Sequence, residues 1–201
     1  MIKILLFAVL AYFLGSLPNG VVIGKRVKGI DIRDHGSGNS GATNAYRVLG
    51  AKYGIIVLVA DVLKGFIPVM LADMAGIQGI SLILIGIVAI VGHSLSFFLE
   101  FKGGKGVATS LGVFLYLVPQ VMVIIVAAFI AIVYTTRYIS LASIVGAGLL
   151  PVLTSFMPLR DGISRPSIFI ISLFMGLFVI YRHKTNITRL LNGTENKFKV
   201  K

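Results

Sequence analysis

The sequence predicts an all-α, polytopic membrane protein with seven transmembrane helices, and three observations carry that prediction. Hydrophobic residues make up 57% of the 201-residue chain and charged residues only 13%, with a mean hydropathy of +0.97. Several apolar runs approach twenty residues, the length that crosses a hydrocarbon core about 30 Å thick. The basic residues gather in two clusters, Lys25–Lys52 and the tail after Tyr181, as cytoplasmic segments do. No large soluble segment remains, so residues 1–201 are expected to form a single transmembrane domain.

The first run, Ile2 to about Gly24, is long enough to cross and holds the broken, polar sequence Gly15-Ser16-Leu17-Pro18-Asn19-Gly20. It lacks a small-residue cleavage pattern and reads as a retained span. A polar segment follows to Lys52. The second span runs from Tyr53 to about Ala75 and contains Asp61 and Lys64; the third runs from Gln78 to about Phe98 and contains His93. Residues 107–136 form one tilted helix or two helices divided near Pro119-Gln120. Two crossings put both basic clusters on the cytoplasmic side, so two are expected, with the first short for a span. The sixth span is Ile139 to Phe156 and the seventh Ser167 to Tyr181. The N-terminus then lies outside and the C-terminus in the cytoplasm. Tyr53, Tyr134, Tyr138 and Tyr181 fall at the cytoplasmic boundary, where amphipathic rings prefer to sit. Past Tyr181, Ile187, Leu190 and Leu191 share one face of a short interfacial helix.

Composition also excludes chemistry. With no cysteine and three scattered histidines, thiol catalysis and a zinc site are not expected. Seven scattered acidic residues make a poor magnesium cluster, which argues against a transferase using a nucleotide-activated lipid. The net charge of +12 suits anionic lipids and anionic substrates; nothing beyond charge supports nucleic acid.

Polar chemistry concentrates in four segments that this topology carries to one membrane face. In Phe101-Lys102-Gly103-Gly104-Lys105-Gly106-Val107, glycines admit close backbone approach, lysines supply charge, and a helix starting near Val107 aims its positive end at the same place. That combination is expected at a phosphate or carboxylate site, although the spacing is not that of a Walker A loop. Gly36-Ser37-Gly38-Asn39-Ser40-Gly41 matches GxGxxG, but no strand precedes it, so dinucleotide binding is not expected. It is expected instead to form an anion nest, with Ser37, Asn39, Thr43 and Asn44 as donors and Thr43 or Asn44 capping a helix from Ala45. Arg47 then sits one turn into that helix and offers a bidentate fork, or else serves as a cytoplasmic anchor. Arg137–Ser143 and the pair His183 and Asn186, one helical turn apart, complete the set. Asp61 and Lys64, spaced i,i+3, are expected to pair, either as a functional intramembrane pair or as a brace. His93 is expected to be a hydrogen-bonded packing residue.

Three stretches, Gly36-Ser-Gly-Asn-Ser-Gly-Ala-Thr-Asn44, Gly92-His93 through Thr109, and Tyr181-Arg-His-Lys-Thr-Asn-Ile-Thr-Arg-Leu190, resemble the bacterial acyl-phosphate-dependent glycerol-3-phosphate acyltransferases. Gly15–Gly20 and Arg137–Ser143 extend the likeness along the chain. The resemblance implies a single transmembrane catalytic domain in the bacterial inner membrane, with its site on the cytoplasmic face. It implies transfer of an acyl group from fatty acyl phosphate to the sn-1 hydroxyl of glycerol 3-phosphate, with no metal, cofactor or obligate protein partner. Carried over by position, Lys105, His183, Asn186 and Arg47 are the catalytic residues. Ser37 with Gly36, Gly38, Asn39, Gly41, Thr43 and Asn44, the glycines 103, 104 and 106, and Ser143 form the substrate-binding set. Two departures stand out: Ser96 occupies a position where the family often has proline, and Glu100 places a charge beside the glycine loop. The rival expectation is a transporter for a phosphorylated or anionic solute, which seven spans and broken helices would also suit; against it, the motifs gather at one surface and no repeated halves are visible.

Overall fold

A computed structural model describes residues 1–198; Lys199 and Lys201, two of the tail's basic residues, lie outside the described residues. Among the described residues there are helices, turns and loops and no strand. Six helical segments among the described residues are long and apolar enough to span a bilayer, and a further apolar helix, Val107–Leu117, has 11 residues. At a rise of 1.5 Å per residue it covers only about 16 Å. The chain divides into two compact units, Met1–Tyr116 and the part from Leu117 onward.

In the first unit, α1 (Ile2–Ser16) and α2 (Asn19–Lys28) are the two halves of the first run. The chain leaves the helical conformation at Leu17, φ −55° and ψ 121°, because a following proline disfavours the α region. Next come α3 (Ala42–Leu49), α4 (Ala51–Met74), α5 (Gly79–Ser94) and α6 (Val107–Leu117). Between apolar helices in lipid there is little hydrophobic drive, so close backbone contact through small residues holds them. A Cβ at Gly15 would overlap Ala89 O, and one at Gly92 would overlap Tyr12 O, so α1 and α5 each offer a glycine to the other. The same exchange joins α4 and α6, where Gly65 meets Thr109 O and Gly112 meets Val62 O. Gly86 packs on Val113, whereas Gly148 has nothing within 4 Å.

The expected ion pair forms in α4: Lys64 Nζ lies 2.9 Å from Asp61 Oδ1, with both side chains buried. Both charges also reach the α1–α2 break, where Lys64 donates to Leu17 O at 2.7 Å and Asn19 Nδ2 donates to Asp61 Oδ1 at 2.9 Å.

The second unit contains α7 (Pro119–Thr136), α8 (Ile139–Phe156), α9 (Arg165–Arg182) and α10 (Lys184–Leu191). Proline at the first position of α7 confirms the division near residue 119, since that position needs no N–H. Gly176 of α9 packs on Ala147 O of α8, and Thr154 and Ser172 hydroxyls meet at 3.1 Å between the same helices. Arg165 caps the C-terminus of α8, donating to the carbonyls of Thr154, Ser155 and Met157 at 3.0–3.1 Å. Such a cation satisfies carbonyls that the helix cannot.

The four tyrosines expected at a membrane boundary each carry a cation over the ring. Lys52 stands 5.7 Å from the Tyr53 centroid, Arg137 5.9 Å from Tyr134, Lys197 5.8 Å from Tyr138 and Lys184 5.2 Å from Tyr181. These distances lie within the attraction of the ring quadrupole.

Candidate active site

The 36–44 loop starts from a fixed stub. Arg33 grips Asp31 through Nε and Nη2, the shortest bond being 2.7 Å. The guanidinium hydrogen bond holds the Asp31 carboxyl below its usual range, although burial opposes it. Gly36 and Gly38 then adopt φ +63° and +70°, a conformation glycine enters without a Cβ penalty. The helix start differs from expectation: α3 begins at Ala42 behind Gly41, and neither Thr43 nor Asn44 caps it. Asn44 is spent on the loop instead. Its Oδ1 accepts Ser37 N–H at 2.8 Å, and its Nδ2 donates to the carbonyls of Ile32, His35 and Asn39 at 2.7, 3.1 and 2.8 Å. Asn39 Oδ1 likewise accepts Gly41 N–H at 2.9 Å. Asn39 and Asn44, expected as donors to an anion, thus shape the loop from within and leave Ser37 exposed on its outer side. Arg47 follows within α3, in the last turn.

The glycine–lysine loop folds back on the end of α5. Gly103 N–H donates to Ser94 O at 3.1 Å and Gly104 N–H to His93 O at 3.2 Å. A Cβ on Gly103 would overlap His93 O, and one on Gly104 would overlap His93 Nε2. These two glycines therefore admit the backbone and ring of α5's last turn, where the sequence suggested approach to an anion. His93 is buried, as expected of a packing residue. Gly106 turns the chain at φ +83° into α6, so Lys105 stands between two fixed glycines, two residues before the helix. Glu100 and Phe101 precede the loop at φ +52° and +62°, a strained conformation for residues with side chains, costing roughly 1–3 kcal/mol each. Ser96 donates to Ser16 O at 2.6 Å, which ties this loop to the end of α1. Glu100 also adds to the field that raises the Arg33 pKa, after the larger effect of the Asp31 hydrogen bond.

In the second unit, Ser143, His183 and Asn186 are all buried. Ser143 Oγ donates back to Ile139 O at 2.9 Å. His183 sits at the α9–α10 junction, with Nδ1 2.7 Å from Val179 O. A carbonyl can only accept, so Nδ1 carries a proton, and whenever the ring is neutral its lone pair is at Nε2.

Sequence reasoning missed Glu195, which holds Asn186 of this set. Oε1 accepts from Ser140 Oγ at 2.9 Å and from Asn186 Nδ2 at 2.8 Å, while Oε2 accepts from Arg189 Nε at 2.8 Å. Asn186 therefore turns its amide N–H₂ to a carboxylate. The signal was an acidic residue in a strongly basic tail.

Burial alone would raise the Glu195 pKa, but hydrogen bonds from Arg189, Asn186 and Ser140 bring it below the usual glutamate value. A carboxyl lowered in the fold stabilises fully above its unfolded value and loses that contribution as the pH falls through the folded one. Thermal denaturation in detergent is expected to show wild type losing stability as the pH drops below the glutamate range. Glu195→Gln is expected to be less stable at neutral pH by about 2 kcal/mol and to lose less on acidification. Parallel pH curves for the two proteins would rule this role out.

An all-helical integral membrane protein with polar chemistry held in glycine-rich loops and a terminal helix is thus the class that fold and sites define. The family model for glycerol-3-phosphate acyltransferase matches residues 5–193, and the chain belongs to that family. It is accordingly an acyltransferase. A relative named glycerol-3-phosphate acyltransferase from Fusobacterium nucleatum is 57% identical over 193 residues, 96% of this chain and 97% of that one. The Bacillus subtilis protein of the same name is 43% identical over 98% of each chain. The chain is also similar to the solved PlsY, an integral membrane glycerol 3-phosphate acyltransferase, in its glycerol 3-phosphate form. That structure superposes with a TM-score of 0.89 at 40% identity, over 98% of this chain and 96% of that chain.

Proposed function

We propose that the protein transfers a fatty acyl group from acyl phosphate to the sn-1 hydroxyl of glycerol 3-phosphate, at the cytoplasmic face of a bacterial inner membrane. The observation that carries the reading is the whole-length likeness to an acyltransferase solved in both a glycerol 3-phosphate form and a lysophosphatidic acid form. Both substrates are phosphate anions, so the reaction needs cations and N–H donors held in place beforehand. The 36–44 loop, with Ser37 and Thr43, holds the acyl phosphate. Lys105 and Arg47 offset phosphate charge, the arginine as a bidentate fork. Ser143, His183 and Asn186 orient glycerol 3-phosphate, so that its hydroxyl oxygen attacks the acyl carbonyl carbon. The carbon–oxygen bond to phosphate then breaks and inorganic phosphate departs. The hydroxyl proton passes to His183 Nε2 or to the leaving phosphate, and general-base help from the imidazole is worth about 10²–10⁴ in rate.

Purified protein in detergent, given glycerol 3-phosphate and palmitoyl phosphate, is expected to form lysophosphatidate and inorganic phosphate in equal amounts, with the acyl group at the sn-1 position by NMR. Product only from palmitoyl-CoA would refute the donor. No product from folded protein with either donor would refute the acyl transfer itself.

A further inference from the structure

We infer that Asp61 and Lys64 are positioning residues for the 36–44 loop, acting through the break between α1 and α2. The inference rests on the proposed function for what that loop holds. A buried ion pair is by itself a weak source of stability, because desolvating two charges offsets much of their attraction. What this pair provides is placement. Lys64 Nζ donates to Leu17 O, at the carbonyl end of α1, where the helix dipole is negative. Asp61 Oδ1 accepts from Asn19 Nδ2, at the first residue of α2, where the dipole is positive. Each charge thus faces the helix end of opposite sign, and the two halves of a broken span are fixed from a third helix.

From Asn19 the restraint passes directly to the loop. At Gly20 a Cβ would overlap Ser40 O and come within 2.8 Å of the Ile32 side chain; at Gly24 it would come within 2.7 Å of Ile32. The start of α2 is therefore the surface on which the loop rests. Ile32 is fully buried, in one apolar cluster with Val21 of α2, Ala45 and Leu49 of α3, and Val57 of α4. A shift of α2 along its axis moves Ser40, then Gly41 and the start of α3 that carries Arg47. The other side of the break is tied to the glycine–lysine loop, because Ser96 Oγ donates to Ser16 O at 2.6 Å and Ser16 Oγ to Gly92 O at 3.2 Å. One joint therefore anchors both loops of the first unit. Contiguous packing of this kind, with backbone contact at each step, can transmit displacement.

Two variants test this. Asn19→Leu cuts the link to α2 while keeping the ion pair; the double variant Asp61→Asn with Lys64→Met removes the pair without stranding a lone buried charge. Hydrogen exchange by mass spectrometry, on substrate-free protein in detergent, reads the loop directly. Peptides covering 36–44 are expected to exchange about tenfold faster in both variants, while α4 and α5 in Asn19→Leu exchange as in wild type. Turnover is expected to show KM for palmitoyl phosphate raised about tenfold or more, with KM for glycerol 3-phosphate unchanged. Unchanged exchange at 36–44 in folded Asn19→Leu would overturn the inference. So would equal loosening of α4 and the loop in both variants, the mark of a purely structural pair. The exchange arm needs no turnover, so failure of the proposed reaction and failure of this coupling are separate outcomes.

Discussion

The Gly103→Ala substitution is expected to lower kcat/KM by about a hundredfold or more, the order seen when reacting groups shift by an ångström. The added methyl carbon would overlap His93 O and lie 3.0 Å from the carbonyl carbons of His93 and Ser94. These are backbone atoms in the last turn of α5, so no side-chain rotation relieves the clash. The loop must lift, breaking the bonds from Gly103 N–H and Gly104 N–H, and Lys105 moves with it. Gly104→Ala is expected to be milder, because its obstacle is the His93 ring, which can turn. Gly148→Ala is the control: nothing lies within 4 Å of that position, and activity is expected to stay at wild-type level. Steady-state kinetics of the three variants, with thermal unfolding beside them, gives the test. Wild-type kinetics for Gly103→Ala would mean that the loop is not clamped to α5.

The Lys105→Ala substitution is expected to cost about 10²–10³ in kcat, the usual penalty for removing one preorganised group that meets developing charge. Fixed between Gly104, packed on His93, and Gly106, turned to φ +83°, the lysine is presented by the backbone. In the proposed reaction two phosphate groups in one site repel, and a cation between them would lower the barrier in proportion to how little water screens it. Lys105→Arg keeps the charge but not the compact ammonium, so a partial rate is expected. A rate within a few-fold of wild type for folded Lys105→Ala would remove the residue from the mechanism.

The spans were legible because bilayer thickness fixes their length: α8 begins and ends at the predicted residues, and the first run breaks at the Leu17-Pro18 step. The Asp61–Lys64 pair followed from i,i+3 spacing. Local loop chemistry was less legible. Thr43 and Asn44 are good cap residues by type, but Asn44 satisfies more polar groups by bonding four backbone partners across the loop than by capping α3. Glycine roles were half legible, since glycine marks close approach without saying what approaches. At 103 and 104 the neighbour proved to be α5. Glu195 offered only its charge in a basic tail as a signal: its partners at 140, 186 and 189 depend on how the chain returns after α10.

The reciprocal glycines of the first unit bear on how far this sequence can drift. At positions 15, 92, 65 and 112 the neighbour is a main-chain carbonyl, which no compensating side-chain change elsewhere can remove. Outward positions such as Leu5, Ile55 and Val59, more than half exposed, face lipid and accept any apolar residue of similar bulk. In a library selected for growth, those four columns would hold a single letter while the lipid-facing columns diversify. Second-site suppressors of an alanine at any of the four would be rare.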